Sequence, residues 1–337
     1  MTAPLVSVLL PVRDAAPTLP RCLESLAAQT LRAHEVVAID DGSTDGSGDV
    51  LEAWAARDPR LTVRHTPARG LVSALNAAAG AARGNLLARM DADDVCHPER
   101  LARQWTRLQA GTDVHVLGTC VELRRGDGPI TDGLRDYVAW QNGLLTHDDI
   151  VHDLWVESPL VHPTVMMPAA VLRDLGGYRD FDGPEDYDLW LRAERAGLRF
   201  GKLGETLLEW WDSPERLTRT GHRYADERFF ALKLEALESR HLGGGRAVVI
   251  WGSGPIGKRW ARALRARGHE VSAFVEVHPR KVGTRLHGAP VVEVAEAGRF
   301  AAALHLAAVG QPGRRPAIRA AASSLGLEDG RSLIAVA

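Results

Sequence analysis

The chain has 337 residues, of which 45% are hydrophobic and 25% charged, with 41 Lys and Arg against 43 Asp and Glu. This length suggests about two domains at roughly 150 residues each, and the composition excludes disorder, collagen and coiled coil as descriptions of the whole chain. A net charge of −2 gives no overall electrostatic reason to bind a polyanion, so we predict no nucleic-acid partner.

Cysteine usage and hydropathy bear on the compartment. Cys22, Cys96 and Cys120 are widely spaced and form no CxxC pair, which indicates neither a disulfide framework nor a zinc site and favours a reducing compartment. The apolar run near the N-terminus is about six residues long, too short for a signal-peptide core. No window approaches the roughly 18 apolar residues that span a bilayer. We expect a cytoplasmic protein without a transmembrane segment, and peripheral membrane contact stays open.

Strand and helix signals alternate over the first hundred residues. Helical spacing and short β-branched apolar runs predict these elements in chain order: strand 6–12, helix 18–29, strand 35–40, a helix through 50–54, strand 61–66, helix 71–82 and strand 85–90. Strands joined by crossover helices imply an α/β fold, with a mostly parallel sheet and helices on both faces. Ligands of such sheets lie beyond the carboxyl ends of the strands, where DDGSTD (40–45) and DADD (91–94) both fall.

The pattern is mixed after about Val114 and regular again near the end of the chain. Further elements are expected at 114–123 (strand), 126–133 (polar loop), 147–156, 185–197 and 224–241 (helices). The triglycine 243–245 follows a charged helix and predicts a linker, after which a new strand–turn–helix unit begins. We therefore predict two domains, 1–242 and 246–337, joined by the linker 243–245.

The DADD segment concentrates three carboxylates in four residues. Alternate residues of an extended segment share a face, so Asp91 and Asp93 should point the same way. Packed carboxylates repel one another unless a cation intervenes, and oxygen ligands select Mg²⁺ or Mn²⁺. For the cluster taken alone, a solvated acidic turn with Asp94 capping the next helix is an equal alternative.

Two other acidic segments each have a purely structural explanation. In DDGSTD, a turn with Ser43 or Asp45 as N-cap is favoured over a carboxylate that binds a base or a sugar hydroxyl. In PEDYDLWLR (184–192), Glu185 and Asp186 fall in the first turn of a helix, where negative charge complements the helix dipole. For an isolated acidic pair that explanation would suffice.

Taken jointly, these segments strongly resemble family-2 glycosyltransferases of the GT-A fold. The motifs that carry the resemblance are VSVLLPVRD, EVVAIDDGSTDGS, GLVSALNAAAGAARGNLLARMDADDVCHPERLARQ, HPTVMM, LGGY and PEDYDLWLRAERAG. Their order and spacing make it specific, and it covers about Pro4 to Trp211. The resemblance implies inverting transfer of a sugar from a nucleotide-diphosphate sugar, UDP-sugars first, to a hydroxyl of a glycan or lipid-linked acceptor in surface polysaccharide biosynthesis.

The resemblance also implies roles for particular residues. The nucleotide-sugar would be bound by Pro11, Asp40, Asp41, Asn76, Arg89 and Asp91. As the DxD motif, Asp93 with Asp91 would hold Mn²⁺ or Mg²⁺, because an ion bridging the two phosphates stabilises the leaving group's charge. Asp186 would act as general base towards the acceptor hydroxyl, and Glu185 would orient it or bind the acceptor.

Several of these residues keep structural alternatives. His162 would contact the acceptor or support the metal, and a structural histidine is an equal alternative. Asn76 could equally be a polar helix residue, and Arg89 could form an exposed surface pair with an aspartate. Arg192 is expected to pair with a carboxylate on its own helix.

The C-terminal segment carries a separate signal. WGSGPIGKRW places Gly252, Gly254 and Gly257 in GxGxxG spacing between a strand and a helix, with Glu276 ending the next strand, the context of a dinucleotide fingerprint. At about 90 residues the domain is shorter than a full dinucleotide fold. It resembles small Rossmann-like domains found beside bacterial sugar-modifying enzymes. We favour scaffolding or an oligomer contact over a second nucleotide site.

The alternative function places the chemistry in this C-terminal half. It would be a nicotinamide-dependent oxidoreductase or a sugar-nucleotide-modifying enzyme centred on the GxGxxG domain. The sequence after Glu276 has no Tyr-xxx-Lys pair or other hydride-transfer constellation, so the glycosyltransferase is preferred.

Overall fold

The computed structural model describes residues 4–111, 113–126, 128–213, 216, 221–311 and 313–337. These form two compact units, each built from two stretches of chain: Met1–Ile150 with Pro159–Ala225, and Val151–Ser158 with Asp226–Ala337. The chain thus divides after Ala225 rather than at the triglycine, because the helix before the triglycine belongs to the second unit. The described residues include no helix that is both long and apolar enough to cross a bilayer.

The first unit is built on an eight-stranded sheet. Its strands are β1 (Val6–Val12), β2 (His34–Asp40), β3 (Leu61–His65), β4 (Leu86–Arg89), β5 (Val95–Cys96), β6 (Val116–Arg125), β7 (Met166–Pro168) and β8 (Phe200–Asp212). They lie in the order β3-β2-β1-β4-β7-β6-β8-β5. The pairs β3–β2, β2–β1, β1–β4 and β6–β8 are parallel, whereas β7 is antiparallel to both neighbours and β5 to β8. The expected α/β fold with a mostly parallel sheet is confirmed.

Helices join most of these strands. They are α1 (Leu19–Ala27), α2 (Ser47–Ala55), α3 (Leu71–Ala81), α4 (Arg100–Gln109), α5 (Asp132–Gly143), α6 (His147–Asp153), α7 (Ala169–Asp174) and α8 (Glu185–Arg195), with 3-10 turns at His162–Thr164 and His222–Tyr224. Strands β1 and β2 are buried along their whole length, as their uninterrupted apolar runs predict. Helix α1 buries one stripe, made of Leu19, Cys22, Leu23 and Leu26. Crossover helices on a buried parallel sheet bring the strand ends together at one edge, where the acidic segments lie.

The sequence did not predict α5 or β8. Helix α5 buries only Val138 and Gln141, so it has no apolar stripe at helical spacing, and it begins where the Thr131 side chain accepts a hydrogen bond from the Leu134 backbone N–H. Strand β8 mixes glycine, charged and aromatic residues over its length, and its pairing with β6 holds it in the sheet. Both elements depend on tertiary contacts that local patterns do not show.

The second unit has its own six-stranded sheet. Its strands are β9 (Val248–Trp251), β10 (Val271–Val275), β11 (Arg285–Leu286), β12 (Ala289–Val292), β13 (Leu304–Ala307) and β14 (Leu333–Ala335), in the order β11-β12-β10-β9-β13-β14. All neighbours are parallel except β11 and β12. The helices are α9 (Asp226–His241), α10 (Pro255–Ala266) and α11 (Arg314–Ser324). The triglycine forms a 3-10 turn, with Gly244 at φ +74°, rather than an extended linker.

The short stretch Val151–Ser158 is tied to the rest of the second unit. The buried Asp153 carboxylate accepts hydrogen bonds from Arg315 at 2.8 Å and from Arg319 at 2.7 Å. Lys233 of α9 donates to the Val156 carbonyl at 2.8 Å. A charged carboxylate buried with two guanidinium partners is costly to separate from them, so this stretch is a structural part of the second unit.

Candidate active site

Asp91, Asp93 and Asp94 lie in a tight turn between β4 and β5. One carboxylate oxygen from each lies within 4.8 Å of the others. The turn is closed by a hydrogen bond from the Asp94 backbone N–H to the Asp91 carbonyl at 3.4 Å. The turn, rather than the alternation of an extended segment that we assumed, therefore brings the carboxylates together.

Asp94 is fully buried and does not cap the next helix, so the structure does not support the alternative of a solvated acidic turn with Asp94 as the cap. Helix α4 begins after Glu99 instead, and Oδ1 of Asp94 accepts a hydrogen bond from the Trp211 backbone N–H at 2.8 Å. Its Oδ2 has no hydrogen-bond partner among the described residues. Burial, followed by the charge of Asp93, raises the pKa of Asp94 well above its usual range, and burial and Asp91 raise the pKa of Asp93. An added cation would stabilise this cluster.

Arg89 lies at the end of β4 with 4% of its surface exposed. It forms an ion pair with Asp91, and because Arg89 is buried and Asp91 is half-buried, this is not the exposed surface pair of our alternative. Burial disfavours the charged guanidinium, but Asp91 more than offsets this and raises the pKa of Arg89, with smaller contributions from Tyr178 and Glu185. Arg89 thus interacts with both the DADD turn and the start of α8.

The two acidic residues that begin α8 differ in environment. Glu185 is 2% exposed and accepts a hydrogen bond from the Tyr224 hydroxyl at 2.7 Å. Burial raises the pKa of Glu185 against the opposing effects of Tyr224 and Arg89. Asp186 is half-buried, and its Oδ1 accepts a hydrogen bond from the Tyr187 backbone N–H at 2.7 Å. The more accessible carboxylate is therefore Asp186.

His162 is buried beside Glu185. Its Nε2 lies 2.9 Å from the Tyr178 hydroxyl, and its Nδ1 lies 3.8 Å from a Glu185 oxygen. Burial, followed by the charge of Arg89, lowers the pKa of His162 well below its usual value, so the ring is neutral at pH 7. The hydrogen bond with Tyr178 agrees with the structural alternative for His162, and contact with the acceptor or support of the metal stays a prediction.

Asp40 and Asp41, at the end of β2, are both buried and bound by protein donors. Asp40 accepts from the Ser43 backbone N–H at 3.0 Å and lies 2.9 Å from His65 Nδ1, and although burial opposes ionisation these partners lower its pKa. Asp41 accepts from the backbone N–H groups of Arg69 and Gly70 at 2.7 and 2.8 Å. These bonds shape the turns after β2 and before α3; nucleotide-base contact by Asp40 and Asp41 stays a prediction.

Pro11 and Asn76 are the remaining residues of the expected nucleotide pocket, and both contribute to the fold. Pro11 lies within β1 opposite Ile39 of β2. The Asn76 side chain exchanges two hydrogen bonds with the backbone of Tyr178, at 2.8 and 3.0 Å. Asn76 therefore fastens α3 to the segment before α8, which is the structural alternative, and its nucleotide contact stays untested.

Arg192 pairs with a carboxylate of its own helix, as expected. Its Nε donates to Asp188 at 2.7 Å, and its guanidinium also donates to the carbonyls of Leu175 and Gly177. These bonds anchor α8 and so fix the position of Glu185 and Asp186.

Two of the three glycines in the GxGxxG turn of the second unit, Gly252 and Gly257, cannot be replaced without strain. A Cβ on Gly257 would lie 2.0 Å from the Gly252 carbonyl oxygen, and Gly252 has φ +103°. Gly254 directly precedes α10. Glu276 accepts hydrogen bonds from Ser253 at 2.5 Å and Lys281 at 3.0 Å; burial opposes its ionisation, but these bonds lower its pKa to about 2. Protein donors thus already bind the carboxylate expected to contact a ribose, and a nucleotide at this turn stays a prediction.

Comparison with known proteins identifies the family. The family model described as glycosyl transferase family 2 matches residues 7–176. The uncharacterized glycosyltransferase EpsJ of Bacillus subtilis is 41% identical over 246 residues, 69% of this chain and 68% of its own. The chain belongs to glycosyl transferase family 2. It is therefore a glycosyltransferase, as the motifs implied.

Other relatives of this family-2 glycosyltransferase are more distant. The amylovoran biosynthesis glycosyltransferase AmsE of Erwinia amylovora is 31% identical over 57% of this chain and 69% of its own. An uncharacterized glycosyltransferase of Haemophilus influenzae is 30% identical over 58% of this chain, and the match spans 61% of that protein's length.

Solved structures support the GT-A fold of this glycosyltransferase. S. aureus TarS 1-349 in complex with UDP-GlcNAc has a TM-score of 0.55 at 19% identity, over 70% of this chain and 67% of that one. The mannosyltransferase PcManGT from Pyrobaculum calidifontis in complex with GDP-Man and Mn²⁺ has a TM-score of 0.53 at 21% identity, over 80% and 77%. At these identities the likeness concerns the fold alone.

Sequence reasoning missed two tyrosines of the candidate active site. Tyr178 contacts His162, and Tyr224 donates to Glu185 from 39 positions further along the chain. LGGY drew attention to Tyr178 as part of a motif but gave it no role. Tyr224 lay at the expected start of a helix, and no spacing rule relates it to α8.

Proposed function

We propose that this family-2 glycosyltransferase moves a sugar, with inversion, from a nucleotide-diphosphate sugar to a hydroxyl of a glycan or lipid-linked acceptor. Mn²⁺ or Mg²⁺ would be required, and UDP-sugars are the first donors to test. The observation that carries the proposal is the acidic turn after β4, where one carboxylate oxygen from each of Asp91, Asp93 and Asp94 lies within 4.8 Å of the others and Arg89 pairs with Asp91.

The DADD turn fits a divalent cation. Three carboxylate oxygens lie within 4.8 Å of one another, and Asp94 keeps a buried oxygen without a hydrogen-bond partner among the described residues. Hard oxygen ligands of this kind suit Mg²⁺ and Mn²⁺. Asp93 and Asp91 would hold the ion. When bound, it would stabilise the negative charge that gathers on the departing diphosphate.

Asp186 is the proposed general base. In a single displacement the acceptor oxygen forms its bond to the anomeric carbon while the bond to the diphosphate breaks, and one carboxylate takes the hydroxyl proton. Glu185 is buried and bound by Tyr224, and His162 is a weak base because its pKa is lowered, so Asp186 is the best placed of the three. Glu185 would then orient Asp186 or contact the acceptor.

The biological setting is proposed from relatives. AmsE is described as an amylovoran biosynthesis glycosyltransferase, which supports a role for this chain in surface polysaccharide assembly. TarS and PcManGT were solved with UDP-GlcNAc and GDP-Man, which supports a nucleotide-sugar donor without fixing its base.

A thermal-shift panel tests the donor and the metal together. The full chain would be heated with UDP-, GDP- and dTDP-sugars, each with Mn²⁺ or with a chelator, and with NAD and NADP. We expect Tm to rise with a nucleotide-sugar only when Mn²⁺ is present. An equal rise in Tm with a nucleotide-sugar in Mn²⁺ and in chelator would contradict the metal site, and a rise in Tm with NAD or NADP alone would favour the oxidoreductase.

A further inference from the structure

We propose that Tyr224 is a positioning residue of the transfer reaction: it holds Glu185 and thereby the first turn of α8, which carries Asp186. This inference rests on the proposed function, since it takes Asp186 as the base. Tyr224 lies outside the segment that the family model matches, which ends at residue 176.

The contact that carries the proposal belongs to a small docked turn. The Tyr224 hydroxyl donates to Glu185 Oε2 at 2.7 Å. The two preceding residues contact the approach to the same helix: Arg223 pairs with Asp180 at 3.2 Å, and His222 lies 3.4 Å from Asp182. Three successive residues thus attach the 3-10 turn to the segment that ends in the acidic pair.

Glu185 needs such a partner because its carboxyl is almost entirely removed from water. The titratable and charged groups that face or adjoin it are Arg89, His162, Tyr178, Asp186, Arg223 and Tyr224. His162 Nδ1, at 3.8 Å, is beyond hydrogen-bond distance, whereas Tyr224 donates a short bond. A buried carboxyl that loses its donor rotates, becomes protonated or draws in water.

A displacement of Glu185 would move Asp186. Glu185 is the first residue of α8, directly after Pro184, and Asp186 follows it in the same turn. A catalytic group displaced by a fraction of an ångström loses much of its effect, because the reacting atoms must approach in a defined geometry. Tyr224 therefore acts on the base through its neighbour, without touching the acceptor.

The same contact is linked to pH. Burial raises the pKa of Glu185, and the Tyr224 hydrogen bond opposes that rise by favouring the ionised carboxylate. Removing the hydroxyl should raise the pKa of Glu185 further. The stability lost on removing the hydroxyl should therefore be greater at pH 8 than at pH 5, because the wild-type carboxylate is ionised to a larger extent at pH 8.

The first experiment compares Tyr224→Phe with Tyr137→Phe, a control that also loses one hydroxyl. Tyr137 lies in α5, where its hydroxyl accepts from Gln141. Tyr224→Phe should lower kcat about tenfold and change the donor KM less than about twofold, whereas the control should leave both near wild type. In a Glu185→Gln background, Tyr224→Phe should change kcat less than about twofold. Unchanged kcat, or an equal loss in both backgrounds, would overturn the proposal.

The second experiment does not depend on activity. Tm would be measured at pH 5 and pH 8 for wild type, Tyr224→Phe and Tyr137→Phe. The decrease in Tm caused by Tyr224→Phe should be larger at pH 8 than at pH 5. The decrease caused by Tyr137→Phe should be the same at both pH values. If wild type transfers no sugar, the proposed function has failed, yet this measurement still decides the contact: a deficit independent of pH overturns it.

Discussion

In both units acidic residues follow a strand of a parallel pair. The two regions differ in how far protein donors stabilise the negative charge of these residues. In the second unit, Ser253 and Lys281 bind Glu276 and its pKa falls to about 2. In the first unit, Asp93 and Asp94 have raised pKa values, and one Asp94 oxygen has no hydrogen-bond partner among the described residues. We therefore expect a ligand at the acidic turn after β4, where a buried carboxylate oxygen lacks a donor in the described part of the chain, and a structural role for Glu276, whose carboxylate has two side-chain donors.

The largest expected effect is the loss of turnover when Asp186, the more accessible carboxylate at the start of α8, is replaced. Asp186→Asn should lower kcat by roughly 10²-fold or more while donor binding stays nearly unchanged, because only proton transfer is lost. Steady-state transfer and nucleotide titration measure the two quantities. Asp174→Asn, at an exposed aspartate, is the matched control and should behave as wild type. Donor affinity falling together with turnover would show that Asp186 builds the donor site or the fold instead.

The next effect compares Asp93 and Glu276, the acidic residues after β4 and β10, in their contribution to UDP binding. Asp93→Asn removes one charged ligand at constant size and should weaken Mn²⁺-supported UDP binding more than about tenfold. Glu276→Gln, made in parallel, should leave that affinity unchanged. Calorimetric titration with Mn²⁺ and with chelator gives both values, and equal losses in the two variants would contradict the distinction drawn here.

A smaller effect is expected on the stability of the second unit. The pKa of Glu276 is lowered to about 2 from an ordinary 4.5, so its contribution to stability is present above pH 4.5 and is lost as pH falls toward 2. Glu276→Gln should cost about 1–3 kcal/mol at pH 7 and progressively less below pH 4.5. Urea unfolding across this pH range measures the cost. A cost that stays constant down to pH 2 would mean that the charge of Glu276 contributes nothing.

The smallest effect concerns nucleotide binding after removal of the C-terminal stretch of the second unit, with Val151–Ser158 retained. We predict from the sequence that residues 1–242 fold and bind donor alone, with UDP affinity in Mn²⁺ near that of the full chain. The structure sharpens the choice of end point: Phe230 of α9 packs on Trp260 with ring centroids 4.8 Å apart, so a chain ending at 242 exposes that face and one ending at 225 does not. The shorter protein should be the more soluble one. Failure of both to fold would show that the second unit completes the first.

The acidic motifs were predictable because short local patterns produce them. The buried strands β1 and β2, the turn after β4 and the start of α8 each follow from residues adjacent in the chain. The positions of Asp91, Asp93, Glu185 and Asp186 could therefore be expected before the structure was known, although the roles assigned to them remain predictions.

Which carboxylates receive hydrogen bonds from distant protein donors could not be predicted from the sequence. Whether Asp41 is free depends on backbone N–H groups 28 and 29 residues away, and whether Glu185 has a side-chain donor depends on Tyr224. Such contacts are formed by chain folding over long sequence separations, and no local period encodes them. That Val151–Ser158 belongs to the second unit was not predicted for the same reason, since the buried ion pairs of Asp153 with Arg315 and Arg319 join residues more than 160 positions apart.

The assignment of Val151–Ser158 to the second unit has a consequence for biosynthesis. A ribosome releases this stretch long before residues 226–337, so the second unit cannot be completed until that later segment has been synthesised, and Asp153 must await its arginine partners. Recombination is constrained in the same way. A gene fusion that exchanged only the C-terminal segment would bring foreign arginines, or none, to Asp153, so a successful exchange must replace both pieces of the unit together.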